Sequence, residues 1–115
     1  MSQPASESSP ARVRAARQQL LSGQAATMIE HVRDVFCEPT RTQIVRALEI
    51  GALSVSELAT ALGHSETAIS QHLRVLRHGG VVSPQRNGRN VYYSLTAEPV
   101  ANAAVQALEL VAQSA

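Results

Sequence analysis

Residues 54–95 read SVSELATALGHSETAISQHLRVLRHGGVVSPQRNGRNVYYSL. Ser54 and Glu57 form a capping-box pair, which predicts a helix from Val55 with Leu58, Ala59 and Leu62 on its inner side. Gly63 supplies a tight turn. Ser65 caps a second helix, in which Ile69, Leu73 and Leu76 recur at i, i+4 and i+7 and face inward. Gly79-Gly80 stop that helix. Residues 81–86 and 90–95 read as strands, and Asn87-Gly88 between them is a strong short hairpin signal. Helix, glycine turn, helix and hairpin in this order make a helix-turn-helix with a wing, a shape that sets one helix in a DNA major groove and a hairpin beside it.

On either side the pattern is helical. Residues 1–10 are rich in Ser and Pro and are expected to be a disordered tail, with 11–115 a single domain. From 11 to about 36 the spacing is helical, with Ser22-Gly23 a candidate break, and Met28, Ile29, Val32, Val35 and Phe36 form one apolar face. Pro39 opens the next helix, with either Glu38 ahead of it or Thr40 as the cap. Ile44, Val45 and Leu48 are its buried face, and Gly51 ends it. Thr96 can cap a last helix in which Val100, Ala104, Ala107, Leu108 and Val111 share a stripe. The expected fold is mostly α with a small β-hairpin wing, about five helices and two strands.

Composition narrows the class. At 115 residues, 44% of them hydrophobic and 17% charged, the chain is expected to be one soluble globular domain, with dimerisation a natural source of extra burial. No apolar run spans a bilayer and the N-terminus lacks a signal peptide's apolar segment, so a cytoplasmic location without membrane contact is expected. The single Cys37 forbids an intrachain disulfide. Net charge is only +1, but residues 64–95 carry Arg74, Arg77, Arg86 and Arg89 against Glu66 alone, and residues 12–17 carry Arg12, Arg14 and Arg17 with no acid. All ten basic residues are Arg, whose planar fork suits phosphates and guanine edges.

Removing the buried positions from the second helix leaves Glu66, Thr67, Ser70, Gln71, Arg74 and Arg77 outward. Ser70 and Gln71 lie in the half that meets base edges, and Gln pairs bidentately with adenine. Ser65 and Thr67 can take phosphate at the helix N-terminus. Glu66 either accepts from a cytosine amino group or points away. Arg86 and Arg89 flank the hairpin tip, where a wing touches phosphates or a minor groove. Of Tyr92 and Tyr93, one is expected in the core and the other partly exposed. Outward polar residues are as often only solvated; it is their combination with caps, glycine turn and Arg-bearing hairpin that points to DNA.

Residues about 30 to 110 resemble the ArsR/SmtB family of bacterial winged-helix repressors. The resemblance rests on Glu38-Pro39-Thr40-Arg41, on Ser54-Val55-Ser56-Glu57-Leu58-Ala59, on the run from Ser70-Gln71-His72-Leu73 to Arg77, and on Asn87-Gly88-Arg89 with Tyr92-Tyr93-Ser94-Leu95. It implies a homodimer built on the first and last helices, bound to an imperfect inverted repeat of double-stranded DNA, repressing transcription and released by an effector. The chain departs from the metal sensors of that family. Ser54-Val55-Ser56 stand where a metal-sensing relative has Cys-Val-Cys, and hydroxyls are poor ligands for such metals. The last helix has no His, so its common Asp, His and Glu site is absent too. No metal site and no cofactor are therefore expected. His72 falls where the family usually has His, which implies packing or a phosphate contact. His31 with Glu30 or Asp34 makes no full ligand set.

Three further readings frame the function. Cys37 is expected as a small, semi-buried residue at a helix end; its sharper reading is a thiol or redox sensor, with the partner subunit's Cys37 the one available disulfide partner. Arg12, Arg14 and Arg17 form either a solvated face, an arm reaching phosphate, or part of the dimer interface. An enzyme is not expected, because no carboxylate pair, base-activated nucleophile or phosphate-cradling glycine loop is present. A winged-helix protein-interaction module without DNA binding is the remaining rival, and Ser70, Gln71, Arg74 and Arg77 argue against it.

Overall fold

A computed structural model describes residues 9–115. The order is α1 (Pro10–Gln19), α2 (Gly23–Phe36), α3 (Pro39–Leu48), β1 (Leu53–Ser54), α4 (Val55–Leu62), α5 (Glu66–His78), β2 (Val82–Asn87), β3 (Asn90–Leu95) and α6 (Pro99–Ser114). This is the expected winged helix-turn-helix, with six helices and three strands among the described residues. The extra helix arises because the predicted break near Ser22-Gly23 separates α1 from α2. The extra strand is the two-residue β1, which pairs with β3 (Leu53 with Tyr93, Ser54 with Tyr92) and makes the sheet order β1-β3-β2. The tail expected at 1–10 lies outside the described residues up to position 8. Its last two residues open α1: Ser9 is the N-cap, accepting from the Arg12 N–H, and Pro10 takes the first helical position.

The helix ends follow local chemistry. Glu38 caps α3, its Oε1 accepting from the Thr40 N–H at 3.2 Å, which decides between the two caps. That bond holds the Glu38 carboxyl below the usual carboxylate range, with lesser help from the charge of Arg41. At α4 the reciprocal box is complete: Ser54 Oγ accepts from Glu57 N–H (3.1 Å) and Glu57 Oε1 accepts from Ser54 N–H (2.9 Å). Gly63 ends α4 in the left-handed region at φ 73°, which a Cβ would strain, and Ser65 Oγ then accepts from Ala68 N–H to start α5. Thr96, in contrast, does not cap α6. Its hydroxyl donates to the Gly80 carbonyl (2.6 Å) and accepts from the Glu98 N–H (3.2 Å), tying the end of α5 to the entry of α6, and Glu98 is the cap residue.

One core joins these elements. Ile44, Val45 and Leu48 of α3, Leu58 of α4, Ile69, Leu73 and Leu76 of α5, Val81 and Val82 at the sheet, and Ala104 of α6 are buried together with Val35 of α2. Full burial of one such aliphatic side chain is worth about 1.5–3 kcal/mol, and α5 contributes three of them. The predicted apolar stripes of α2 and α6 are only partly absorbed. Val35, Val100, Ala104 and Leu108 are buried and Met28 and Val32 pack on the core, but Ile29, Phe36 and Val111 are exposed. α1 buries no residue.

Candidate nucleic-acid interface

With Ile69, Leu73 and Leu76 anchored, the opposite face of α5 is fixed in space. Thr67, Ser70, Gln71, Arg74 and Arg77 are all exposed on it, and Ser65 is exposed at its start. Ser65 Oγ accepts the cap bond from the Ala68 N–H and keeps its hydroxyl proton to donate. Glu66 is exposed in the first turn, where it complements the helix dipole. Arg74 and Arg77 have no ion-pair or hydrogen-bond partner among the described residues, nor do Arg86 and Arg89.

The wing differs in one detail from its sequence reading. Asn87 pairs with Asn90, so the two loop residues are Gly88 and Arg89 rather than Asn87 and Gly88. Gly88 has φ 66° and Arg89 has no positive φ, the pattern of a turn with glycine first, type II′ rather than I′. Placing Gly88 first spares Asn87 the left-handed conformation and extends the strand. Arg89 thus sits in the tip itself, with Arg86 on the strand leading to it. Pro84 is tolerated because β2 is an edge strand. Tyr92 and Tyr93 are both half-buried, so neither is the core residue expected of one of them: Tyr93 packs against the core, and Tyr92 lines a shallow hollow of about 430 Å³ with Gln85, Arg86 and Asn87.

Arg41 is a residue whose role the sequence reading missed. From the first turn of α3 its guanidinium donates to three groups: the Asp34 carbonyl (2.6 Å, Nε), Cys37 Sγ (3.3 Å, Nη2) and His72 Nδ1 on α5 (3.2 Å, Nη1). A cation there works against the helix dipole, and that misfit was the available signal. Cys37, expected as semi-buried, is exposed at the end of α2, because the chain turns there without covering it. His31 meets His78 edge-on at 6.1 Å between ring centres, with its Nδ1 buried and unpartnered, and His64 is exposed. Among the described residues no three of His, Cys, Asp and Glu come together as a metal-binding group. No helix among them is long and apolar enough to cross a membrane. Arg12, Arg14 and Arg17 are exposed on α1.

Residues 38–83, from the cap of α3 into β2, match the profile described as bacterial regulatory protein, arsR family. The transcriptional repressor SmtB homolog of Synechocystis is 36% identical over 91 residues, which cover 79% of this chain and 69% of that one. The chain belongs to the arsR family. Its HTH-type transcriptional regulator NmtR, from Mycobacterium tuberculosis, is 40% identical over 75 residues, 65% of this chain and 62% of that relative's length. The fold agrees: the solution structure of the homodimeric winged helix-turn-helix DNA-binding domain Mb0332, from Mycobacterium bovis, superposes with a TM-score of 0.66 at 28% identity, covering 96% of this chain and 91% of that one. As an arsR-family protein the chain is grouped with regulators and not with enzymes. The matched segment includes α4 and α5 whole, so the polar face described above lies within the family's common part.

Proposed function

We propose that this arsR-family chain is a sequence-specific, DNA-binding transcriptional repressor that acts as a homodimer. In this reading α5 enters the major groove. Ser70, Gln71 and Arg74 meet base edges, Ser65, Thr67 and Arg77 meet phosphates, and Arg86 and Arg89 reach the backbone or minor groove from the wing. The carrying observation is the set of four arginines on α5 and the wing that have no partner among the described residues, around a helix whose other face is buried. Unpaired guanidinium groups on one surface are an electrostatic footprint for phosphate. Exposed Ile29, Phe36, Leu110 and Val111 on the outer helices support a dimer interface, and the Mb0332 domain is homodimeric. Two subunits would place two copies of α5 on an inverted repeat.

The test is binding of the purified chain to its own upstream DNA and to random DNA at two salt concentrations. Preference for one site, with affinity falling steeply as salt rises, is expected. Equal, weak binding to both would point to a protein-interaction module instead. Release is assigned to an effector other than a metal held in thiolate or last-helix His sites, since Ser54 and Ser56 and the His-free α6 supply no such ligands. Divalent metal salts added to the complex should leave it intact.

A second reading of the input has an observation in its favour. Cys37 is exposed, and the Arg41 that touches its sulfur also touches α5 through His72. A bulky or oxidised group on Cys37 would displace Arg41 and disturb the reading helix. DNA release by thiol-modifying agents should then be lost in Cys37→Ser; release that persists in that variant ends the thiol reading.

A further inference from the structure

We infer that Arg41 is a positioning residue for the reading helix: it fixes which nitrogen of His72 carries the proton and so leaves a neutral N–H donor for a DNA phosphate. The inference rests on the DNA-binding reading given above. A guanidinium has five donors and no acceptor. Since Arg41 Nη1 stands 3.2 Å from His72 Nδ1, that nitrogen has to be the acceptor, and the imidazole proton is placed on Nε2. Nε2 has no hydrogen-bond partner among the described residues and is not one of their buried orphan atoms, so its donor is unspent and not sealed from solvent.

The place in the fold gives this proton its use. His72 lies on α5 between exposed Gln71 and buried Leu73, half-buried and in contact with Arg41 at the start of α3. Backbone phosphates take half or more of the hydrogen bonds that proteins make to DNA, and they set the register of a recognition helix. A donor one residue from Gln71 is placed to set that register. Three of the five N–H donors of Arg41, one on each of Nε, Nη1 and Nη2, are engaged within the protein. Its Nε bond to the Asp34 carbonyl anchors the guanidinium to the end of α2, so α5 is referenced to a rigid corner and not to a free side chain.

The full-length chain is tested in two ways. Long-range ¹H–¹⁵N spectra of the free protein at pH 8 should give the Nε2–H tautomer for His72. Arg41→Met should give mixed tautomers while the Leu73 methyl signals stay in place, and Arg41→Lys, which keeps one donor, should restore most of the Nε2–H form. On the preferred DNA, Arg41→Met and His72→Phe should each weaken binding about tenfold, the scale of one hydrogen bond to a charged group. The double variant should lose no more than either single one, because the two residues act through one contact. Binding at pH 8 should keep its salt slope in His72→Phe, as a neutral donor displaces no counterion. An Nδ1–H tautomer in the wild type, or losses that multiply in the double variant, overturns the inference. A wild-type chain with no DNA preference would sink the functional reading and the phosphate contact together, while the tautomer would still decide what Arg41 does to His72.

Discussion

Ile69, Leu73 and Leu76 of α5 are at most 1% exposed, whereas Ile29, Phe36, Leu110 and Val111 on α2 and α6 range from 38% to 67%. Both regions carry apolar side chains at helical spacing. In the reading unit that spacing is used up within the chain. In the outer helices part of it is left over, and a second copy is the occupant proposed above. The difference separates two tasks. The reading unit must hold its polar face rigid, so its inner face is fully packed. The outer helices must hold the subunit together and still offer a surface.

The same kind of truncation should therefore do different things in the two regions. Leu73→Ala is expected to cost about 2–5 kcal/mol in urea unfolding, through lost burial and a cavity under the reading helix. A loss below about 1 kcal/mol would mean that α5 can collapse onto α4 and that the rigid-face argument is wrong. Next in size come the outward positions of the same helix. Gln71→Ala and Arg74→Ala should each leave unfolding unchanged and cost about 1–3 kcal/mol in binding to the preferred site. If Gln71→Ala weakens random DNA equally, Gln71 touches the backbone and does not read bases.

Caps give the third level. Ser54→Ala should cost about 1 kcal/mol of stability, since it removes one half of the reciprocal box at α4. Then comes the outer surface. Replacing Leu110 and Val111 together by Ala should change the stability of the isolated subunit by less than about 0.5 kcal/mol, as expected for exposed positions. The consequence should appear in association instead. The wild-type melting temperature should rise with protein concentration, and that of the double variant should not. A wild-type melting temperature independent of concentration would remove the argument for a dimer through this face.

Residues 54–95 were legible because each of their structural decisions is local. The capping box, Gly63, the Ser65 cap and the i, i+4, i+7 stripe are each decided within a few residues, and all agree on one fold. What was missed depends on partners distant in sequence. Thr96 looked like a cap, yet its hydroxyl is claimed by the Gly80 carbonyl sixteen residues away. Arg41 looked like one more charge, but its partner His72 lies thirty-one residues on. β1 is too short for any period and exists because β3 lies beside it. The hairpin slipped by one residue because Asn-Gly and Gly-Arg are both acceptable two-residue tips, and strand pairing from Val82 to Leu95 made the choice. The polar face of α5 could be predicted as a face, since burial of its opposite side was written in the spacing.

The smallest expected effect separates the caps of α3 and α4. Ser54 is a hydroxyl and does not titrate, so its bond to the Glu57 N–H persists at any pH at which the fold does. Glu38 does titrate, and its bond from the Thr40 N–H keeps the folded-state pKa below the ordinary carboxylate value. The sign follows from linkage. A carboxyl whose pKa is depressed on folding contributes stability that is complete above its unfolded pKa and is lost as pH falls through the folded one. Glu38→Gln keeps an oxygen acceptor but loses the charge that favours the helix N-terminus. The melting temperature of the wild type should therefore exceed that of Glu38→Gln slightly at pH 7, with the gap closing as pH drops below the usual carboxylate range. Because Glu38 is near solvent, added salt should shrink the gap as well. A gap that is constant across pH would assign the Glu38 cap to geometry alone.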